Sequence, residues 1–133
     1  MNYHNPVLLN ECIEGLRIKP EGVYVDVTFG GGGHSELILQ NLGAGRLFAF
    51  DQDKSASINS FSHPGFKLIN TNFRHIKNFL KLEGVLSIDG LIADLGVSSH
   101  QFDTPERGFS TRFLGELDMR MDINSDLSAK AVI

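Results

Sequence analysis

Residues 26–35 place an acid, a run of glycines and polar side chains within one short stretch. Asp26 lies in the apolar run 23–28, and glycines 30–33 follow it directly. Glycine takes positive φ freely and lets the backbone approach a ligand closely, and a helix start offers unpaired N–H groups. A strand leading into a glycine loop and a helix is typical of a nucleotide pocket. The alternative, a flexible linker, is disfavoured by the apolar patterns on both sides.

Two further acids lie where such a pocket needs them. Asp51 follows the glycine loop at the spacing of about 20 residues at which an acid reaches ribose hydroxyls. Its alternative role is a solvated acid or a helix cap. Asp94 interrupts the apolar run 91–95, where an unpaired buried carboxylate would be costly. We therefore expect Asp94 at the carboxyl end of a strand, where ligands bind to parallel sheets.

The elements that position these residues alternate along the chain. Apolar periodicity predicts strands at 23–28, 46–50, 66–69 and 91–95, and helices at 34–42, 54–61 and 73–82. An earlier leader helix is predicted to start with Asn5 as its N-cap and Pro6 as its first helical residue. Residues 95–103 are predicted as a long loop, and 127–133 as the start of a helix. This order predicts an α/β fold with a parallel sheet in strand order 3-2-1-4 and right-handed crossovers.

The fourth strand has no further partner in this sequence. We expect its free edge to be exposed or covered by another chain, which makes a homo-oligomer through that edge one prediction. The motif 117–122 alternates methionine with charge, a pattern typical of an edge strand or a packing loop.

Composition bounds the class of protein. The chain has 133 residues, 41% hydrophobic and 21% charged, which is typical of a globular domain. Its net charge of −4 argues against a self-sufficient nucleic-acid binder. A single cysteine, Cys12, excludes an intramolecular disulfide or a cysteine-built metal site, and we expect no metal. The sequence shows neither a signal segment nor a run of about 18 apolar residues, so we expect a cytoplasmic protein without a membrane partner.

Two cofactor classes share this layout. A nicotinamide-binding domain uses G-x-G-x-x-G, but Ser35 stands where its third glycine or alanine is usual. A methyltransferase uses an acid followed by glycines, D-x-x-x-G-x-G, which Asp26, Gly30 and Gly32 satisfy. The second interpretation is favoured, with an NAD-dependent oxidoreductase domain as the alternative. Phe73 opens the helix after the third strand, where it either covers an adenine ring or belongs to the core.

Longer strings carry a more specific resemblance. They are His4-Asn5-Pro6-Val7-Leu8-Leu9-Asn10-Glu11, Asp26-x-Thr28-x-Gly30-x-Gly32-Gly33-His34-Ser35, Asp94-Leu95-Gly96-Val97-Ser98-Ser99-x-Gln101, Glu106-Arg107-Gly108-Phe109-Ser110 and Leu117-Asp118-Met119-Arg120-Met121-Asp122. With these strings the chain resembles, over essentially its whole length, the MraW-type ribosomal RNA small-subunit methyltransferases. That family methylates N4 of a cytosine in 16S RNA.

The resemblance implies a Rossmann-like methyltransferase fold, S-adenosylmethionine as cofactor and 16S ribosomal RNA in the small subunit as partner. It implies cofactor contacts at Gly32, Gly33, His34, Asp51, Phe73, Asp94 and Gln101, of which His34 and Gln101 rest on the resemblance alone. Family members are longer. The implied organisation is a leader at 1–22, a partial cofactor-binding subdomain at 23–114 and the start of an inserted helical domain at 115–133. A catalytically inactive fragment is the further alternative.

The implied reaction is an in-line displacement, in which positioning of the reacting atoms about 3–3.5 Å apart dominates. Asp94 is the candidate catalytic residue. By hypothesis, its carboxylate or the carbonyls of residues 95–97 accept a proton from the cytosine amino group. Ser98 and Ser99 either shape the base pocket or cap a helix. Three arginines are candidate phosphate contacts or ordinary paired side chains: Arg107, Arg112 and Arg120.

Overall fold

The structure, a computed structural model, describes residues 8–133. The chain divides into two compact units, one that ends at Asp94 and one formed by Leu95–Ile133. The predicted helix start at Asn5 and Pro6 lies outside the described residues, and the boundaries predicted at residues 22 and 114 stay predictions.

The first unit is built on a parallel sheet of four strands. The strands are β1 (Val23–Asp26), β2 (Arg46–Phe50), β3 (Phe66–Ile69) and β4 (Gly90–Ile92), in the order β3-β2-β1-β4. All three pairings are parallel, with Asp26 opposite Ala49 in β2 and Ile92 in β4. The predicted fold class and strand order are confirmed. β2 and β3 have the predicted bounds, whereas β1 ends at Asp26 rather than residue 28 and β4 ends at Ile92 rather than residue 95.

One helix precedes the first strand and two others lie between strands, as the periodicity predicted. They are α1 (Leu9–Leu16), α2 (Gly33–Asn41) and α3 (Ile76–Leu82). The weak helix predicted at 54–61 is a 3-10 helix over Lys54–Asn59, capped by the Asp53 side chain, which accepts the Ser55 N–H. The helix predicted at 73–82 starts as a 3-10 turn, Phe73–His75, before it continues as α3.

The sheet is covered by apolar side chains on both faces. On one face, Leu80 of α3 belongs to the cluster around Phe48 and Phe50 of β2. On the other face, Ile38 and Leu39 of α2 pack with Leu47, and residues of α1, Cys12 among them, pack against that cluster. Successive strand side chains point to opposite faces, so β2 is buried on both sides, as expected for a parallel sheet covered by helices.

The second unit carries short elements only. They are α4 (Ser99–Asp103), a 3-10 turn (Pro105–Arg107) and α5 (Ala129–Val132). The prediction of a loop holds for residues 95–98 and is wrong for residues 99–103, because Ser98 and Gln101 form a capping box that starts α4. Residues 117–122 form no strand in the described chain, which leaves the packing loop. α5 lies in the segment predicted to begin a helix.

Candidate cofactor site at the carboxyl edge of the sheet

The hydrogen-bond ladder between β1 and β4 ends with a side-chain acceptor. The Val27 N–H donates to the Ile92 carbonyl at 3.1 Å and continues the ladder by one residue. In a regular parallel ladder, the Val27 carbonyl would then accept the Asp94 N–H. The Asp94 N–H instead donates to Oγ1 of Thr28 at 2.7 Å. The Thr28 side chain therefore takes the position of a main-chain acceptor and sets where the Asp94 backbone lies.

The hydrogen-bond ladder between β1 and β2 also ends with a side-chain acceptor. After the Phe29 N–H donates to the Phe50 carbonyl, the Gly30 N–H donates to Oδ2 of Asp51 at 2.7 Å. The other carboxylate oxygen of Asp51, Oδ1, accepts the Asp53 N–H at 2.9 Å. On the far side, Nδ2 of Asn70, directly after β3, donates to the Asp51 carbonyl at 3.2 Å. At this edge of the sheet, each pair of neighbouring strands is thus joined beyond its ladder by a side-chain hydrogen bond.

The Asp51 carboxylate is suited to a vicinal diol. Each of its two oxygens accepts one backbone N–H, and a carboxylate oxygen has a second lone pair for another donor. The residue is partly buried, and burial raises its pKa above the ordinary value of 3.8, opposed by the Asp53 and Gly30 N–H groups. The arrangement leaves one acceptor position on each oxygen for the two hydroxyls of a ribose.

The glycine loop is shaped by two positive φ angles, +51° at Gly30 and +81° at Gly32. A Cβ at Gly32 would lie 3.0 Å from the Phe61 ring and 3.1 Å from the Phe29 ring, so a side chain there would force these rings aside. The Asn59 amide donates to the Gly30 carbonyl at 3.1 Å and holds the loop from the 3-10 helix. Gly32 is buried, so packing and its positive φ require the glycine there, whereas Gly31 is exposed. The backbone at Gly31 is therefore where a ligand can approach the loop closely.

Asp26 accepts hydrogen bonds from the residues on both sides of the glycine loop. It is 1% exposed, and its oxygens accept the Ser35 hydroxyl at 2.7 Å and the Thr28 N–H at 3.0 Å. Burial raises its pKa, and the hydrogen bonds from Ser35 and Thr28 and the charge of nearby His34 oppose that rise. Sequence reasoning did not predict that Thr28 and Ser35 bind Asp26, or that Asn59 binds the Gly30 carbonyl. The signal for Ser35 was its departure from the glycine fingerprint.

The predicted cofactor contacts in the first unit fall at this edge or at the start of α2. Gly32 is the N-cap of α2 and Gly33 its first residue. His34 is 6% exposed, so a solvent-facing ring is excluded. Phe73 is 43% exposed, so the core interpretation is wrong for its ring. Asp94 is exposed as well.

Gln101 lies in the second unit, buried at 5% exposure. Its Oε1 accepts the Ser98 N–H at 3.0 Å, and its own N–H donates to the Ser98 hydroxyl at 3.2 Å. The capping interpretation of Ser98 is therefore confirmed, while a cofactor contact at Gln101 stays a prediction.

Two of the three candidate phosphate-binding arginines have partners inside the second unit. Arg120 forms a bidentate pair with Asp118, at 2.6 and 3.0 Å, and donates to the Ser125 carbonyl. Arg107 donates to the carbonyls of Arg120 and Met121. Arg112 is exposed. Among the described residues, no group of three or more His, Cys, Asp or Glu side chains could hold a metal ion, and no helix is long and apolar enough to cross a membrane.

A parallel sheet in the order 3-2-1-4, with a glycine loop after its first strand and a carboxylate after its second, defines a Rossmann-like α/β domain. The comparisons with known proteins then identify the family. The chain belongs to the MraW methylase family, which it matches over residues 1–133.

Curated relatives named Ribosomal RNA small subunit methyltransferase H align with the entire chain. The identity is 63% in Flavobacterium johnsoniae, 59% in Christiangramia forsetii and 52% in Bacteroides thetaiotaomicron, each over 100% of this chain. The chain spans 44% of the length of these relatives. A solved chain assigned as a methyltransferase of an antibiotic biosynthesis pathway in Anabaena variabilis is 19% identical, with a TM-score of 0.48 over 75% of this chain and 37% of its own.

Proposed function

We propose that this chain binds S-adenosylmethionine and provides the cofactor pocket for methylation of small-subunit (16S) ribosomal RNA at N4 of a cytosine. The family match over residues 1–133 and the relatives named as small-subunit ribosomal RNA methyltransferases support the reaction class. The observation that carries the cofactor assignment is the Asp51 carboxylate, which holds the glycine loop through Gly30 and keeps one acceptor position free on each oxygen.

In this proposal Asp51 accepts hydrogen bonds from both ribose hydroxyls. The backbone of Gly32 and Gly33, at the start of α2, lies against the cofactor. The exposed ring of Phe73 stacks on the adenine. His34 and Gln101 are further proposed contacts.

The cofactor, when bound, supplies an electrophilic methyl group on a sulfonium. The cytosine amino group is a weak nucleophile because its lone pair is delocalised into the ring. Asp94 has an exposed carboxylate on a backbone fixed by Thr28. We assign it the acceptor role: it binds one N–H of the amino group, localises the lone pair and takes up the proton after transfer. The base must be unstacked to reach such a pocket.

The partner in this proposal is ribosomal RNA in the cytoplasm. The net charge of −4 is not that of a self-sufficient RNA binder, so the proposal assigns this chain the cofactor-binding role. β4 has a neighbour on one side only within the described sheet, and pairing of two copies through that edge is part of the proposal.

Calorimetric titration tests the cofactor assignment. We expect this chain to bind S-adenosylhomocysteine, and we expect no heat with NAD. Asp51→Asn should weaken binding at least 10-fold, because an amide offers the ribose one acceptor fewer and places a donor against a backbone N–H. Lys54→Gln, an exposed neighbour, is the control and should bind normally. Binding of NAD alone would overturn the assignment in favour of the oxidoreductase.

Methyl transfer to 16S RNA tests the role of Asp94. At saturating cofactor, we expect Asp94→Asn to reduce the rate of methyl transfer by about 100-fold or more. A loss of this size lies within the range that general base catalysis contributes. An Asp94→Asn protein that transfers methyl groups at the normal rate would remove this carboxylate from the chemistry.

A further inference from the structure

Thr28 occupies a position between two carboxylate residues of the candidate site. Its Oγ1 accepts the Asp94 N–H at 2.7 Å, across the boundary between β1 and β4. The same oxygen lies 3.4 Å from Oδ1 of Asp26, which also accepts the Thr28 N–H at 3.0 Å. The Thr28 side chain therefore links the buried residue Asp26 to the exposed residue Asp94.

The hydrogen-bonding inventory fixes the direction of each bond. A hydroxyl has one proton and two lone pairs. Because Oγ1 uses a lone pair for the Asp94 N–H, its proton is free to point at the nearest acceptor, Oδ1 of Asp26. The other oxygen of Asp26 is occupied by the Ser35 hydroxyl. Asp26 thus orients the Thr28 hydroxyl, and the hydroxyl orients the Asp94 backbone.

We infer that Thr28 is a positioning residue, which acts by fixing the Asp94 backbone and thereby the direction of the Asp94 carboxylate. The inference rests on the proposed function, in which Asp94 meets the cofactor and the cytosine. The hydroxyl matters because Asp94 lies beyond the last residue of β4, Ile92. A side-chain acceptor holds Asp94 out of the regular ladder, so its carboxylate need not follow the up-and-down alternation of the strand.

A matched set of variants tests this inference. Thr28→Val keeps the shape and removes the hydroxyl, whereas Thr28→Ser keeps the hydroxyl. Thr71→Val is the control, because Thr71 follows β3 at the same edge and its hydroxyl has no hydrogen bond among the described residues. We expect Thr28→Val to weaken S-adenosylhomocysteine binding about 10-fold, equivalent to one lost hydrogen bond, with Thr28→Ser and Thr71→Val within about 3-fold of the parent protein.

A double-mutant cycle separates positioning from a merely structural role. If Thr28 acts through Asp94, Thr28→Val adds no further loss of affinity in an Asp94→Ala background. Losses that multiply would overturn the inference, as would normal binding by Thr28→Val.

Hydrogen exchange provides a readout that does not depend on the cofactor. We expect the Asp94 amide to exchange about 10-fold faster in Thr28→Val than in the parent protein or in Thr28→Ser, with the amides of β4 unchanged. If the parent protein binds no S-adenosylhomocysteine, the proposed function fails, and the exchange rate still decides whether Thr28 holds Asp94. An Asp94 amide that exchanges equally fast in all variants would refute the inference.

Discussion

The hydroxyl of Ser35, in the first turn of α2, donates a 2.7 Å hydrogen bond to Oδ2 of Asp26 at the end of β1. Both residues are buried, at 0% and 1% exposure. In dinucleotide-binding domains the position of Ser35 carries a glycine or alanine, which lets the helix pack closely on the strand. Here the helix is joined to the strand by a polar contact, so the departure from the glycine fingerprint has a physical cause.

Removing this contact should destabilise the fold. We expect Ser35→Ala to lower the free energy of unfolding by about 1–3 kcal/mol, because the buried Asp26 carboxylate loses the hydroxyl donor to its Oδ2. Urea denaturation measures the change. Ser62→Ala, at an exposed loop position, should alter stability by less than about 0.5 kcal/mol. Equal stability of the two variants would show that the hydrogen bond contributes nothing.

The buried Asp26 carboxyl predicts a pH dependence. Burial raises its pKa in the folded protein above the ordinary value of 3.8, so the folded state binds more protons than the unfolded state between those two values. Its contribution to stability is then greatest at low pH and falls as pH rises through the folded pKa.

Asp26→Asn should remove that contribution. The difference in unfolding free energy, variant minus parent, should be constant below about pH 4, near the unfolded pKa, and should rise toward neutral pH. Urea denaturation at several pH values measures it. Asp51 also has a raised pKa, mainly because of burial, and the charge of Asp26 is the smallest of its causes. Loss of that charge in the variant lowers the pKa of Asp51 and shifts the difference in the same direction. A difference that stays flat from pH 4 to pH 7 would contradict the prediction.

Gly32 and Gly15 form a matched pair of glycine positions. At Gly32, φ is +81° and a Cβ would meet two aromatic rings at 3.0 and 3.1 Å. At Gly15, in α1, a Cβ would meet nothing within 4 Å. We expect Gly32→Ala to cost about 1–2 kcal/mol for the left-handed backbone alone and to abolish S-adenosylhomocysteine binding. Gly15→Ala should be neutral or stabilising by up to about 1 kcal/mol, as thermal unfolding would show.

The Arg120–Asp118 pair predicts local order in the second unit. The guanidinium binds both carboxylate oxygens and the Ser125 carbonyl, and it lowers the pKa of Asp118. A lysine cannot reproduce this fork, so Arg120→Lys should accelerate amide exchange at Ala129 and Lys130, whose N–H groups donate to the carbonyls of Asp118 and Leu117. Arg112→Lys, at an exposed position, should leave exchange there unchanged.

The strand order could be predicted because it depends on connectivity, and strand–helix–strand units with right-handed crossovers allow few arrangements. The bounds of β2 and β3 also followed from their apolar runs. The ends of β1 and β4 did not, because the mainly apolar runs 23–28 and 91–95 extend past the last strand residues. A side-chain acceptor replaces the ladder bond there. Periodicity records burial, and it does not show which atom accepts an N–H.

The helix α4 was missed for a different reason. At five residues it is too short to show an apolar period, and only the spacing of Ser98 and Gln101 marks its start. The side chain that holds the glycine loop from the 3-10 helix was beyond sequence reasoning as well. Asn59 reaches the Gly30 carbonyl across 29 positions of the chain, and no local pattern specifies such a contact.

The side-chain closure of the three strand boundaries has a thermodynamic consequence for ligand capture. The loops after β1, β2 and β4 are tethered by Thr28, Asp51 and Asn70 within the protein itself. The conformational entropy of these loops is therefore lost during folding, before a ligand binds. Association then requires little further ordering of the chain, and the contacts made at these loops count almost fully toward affinity.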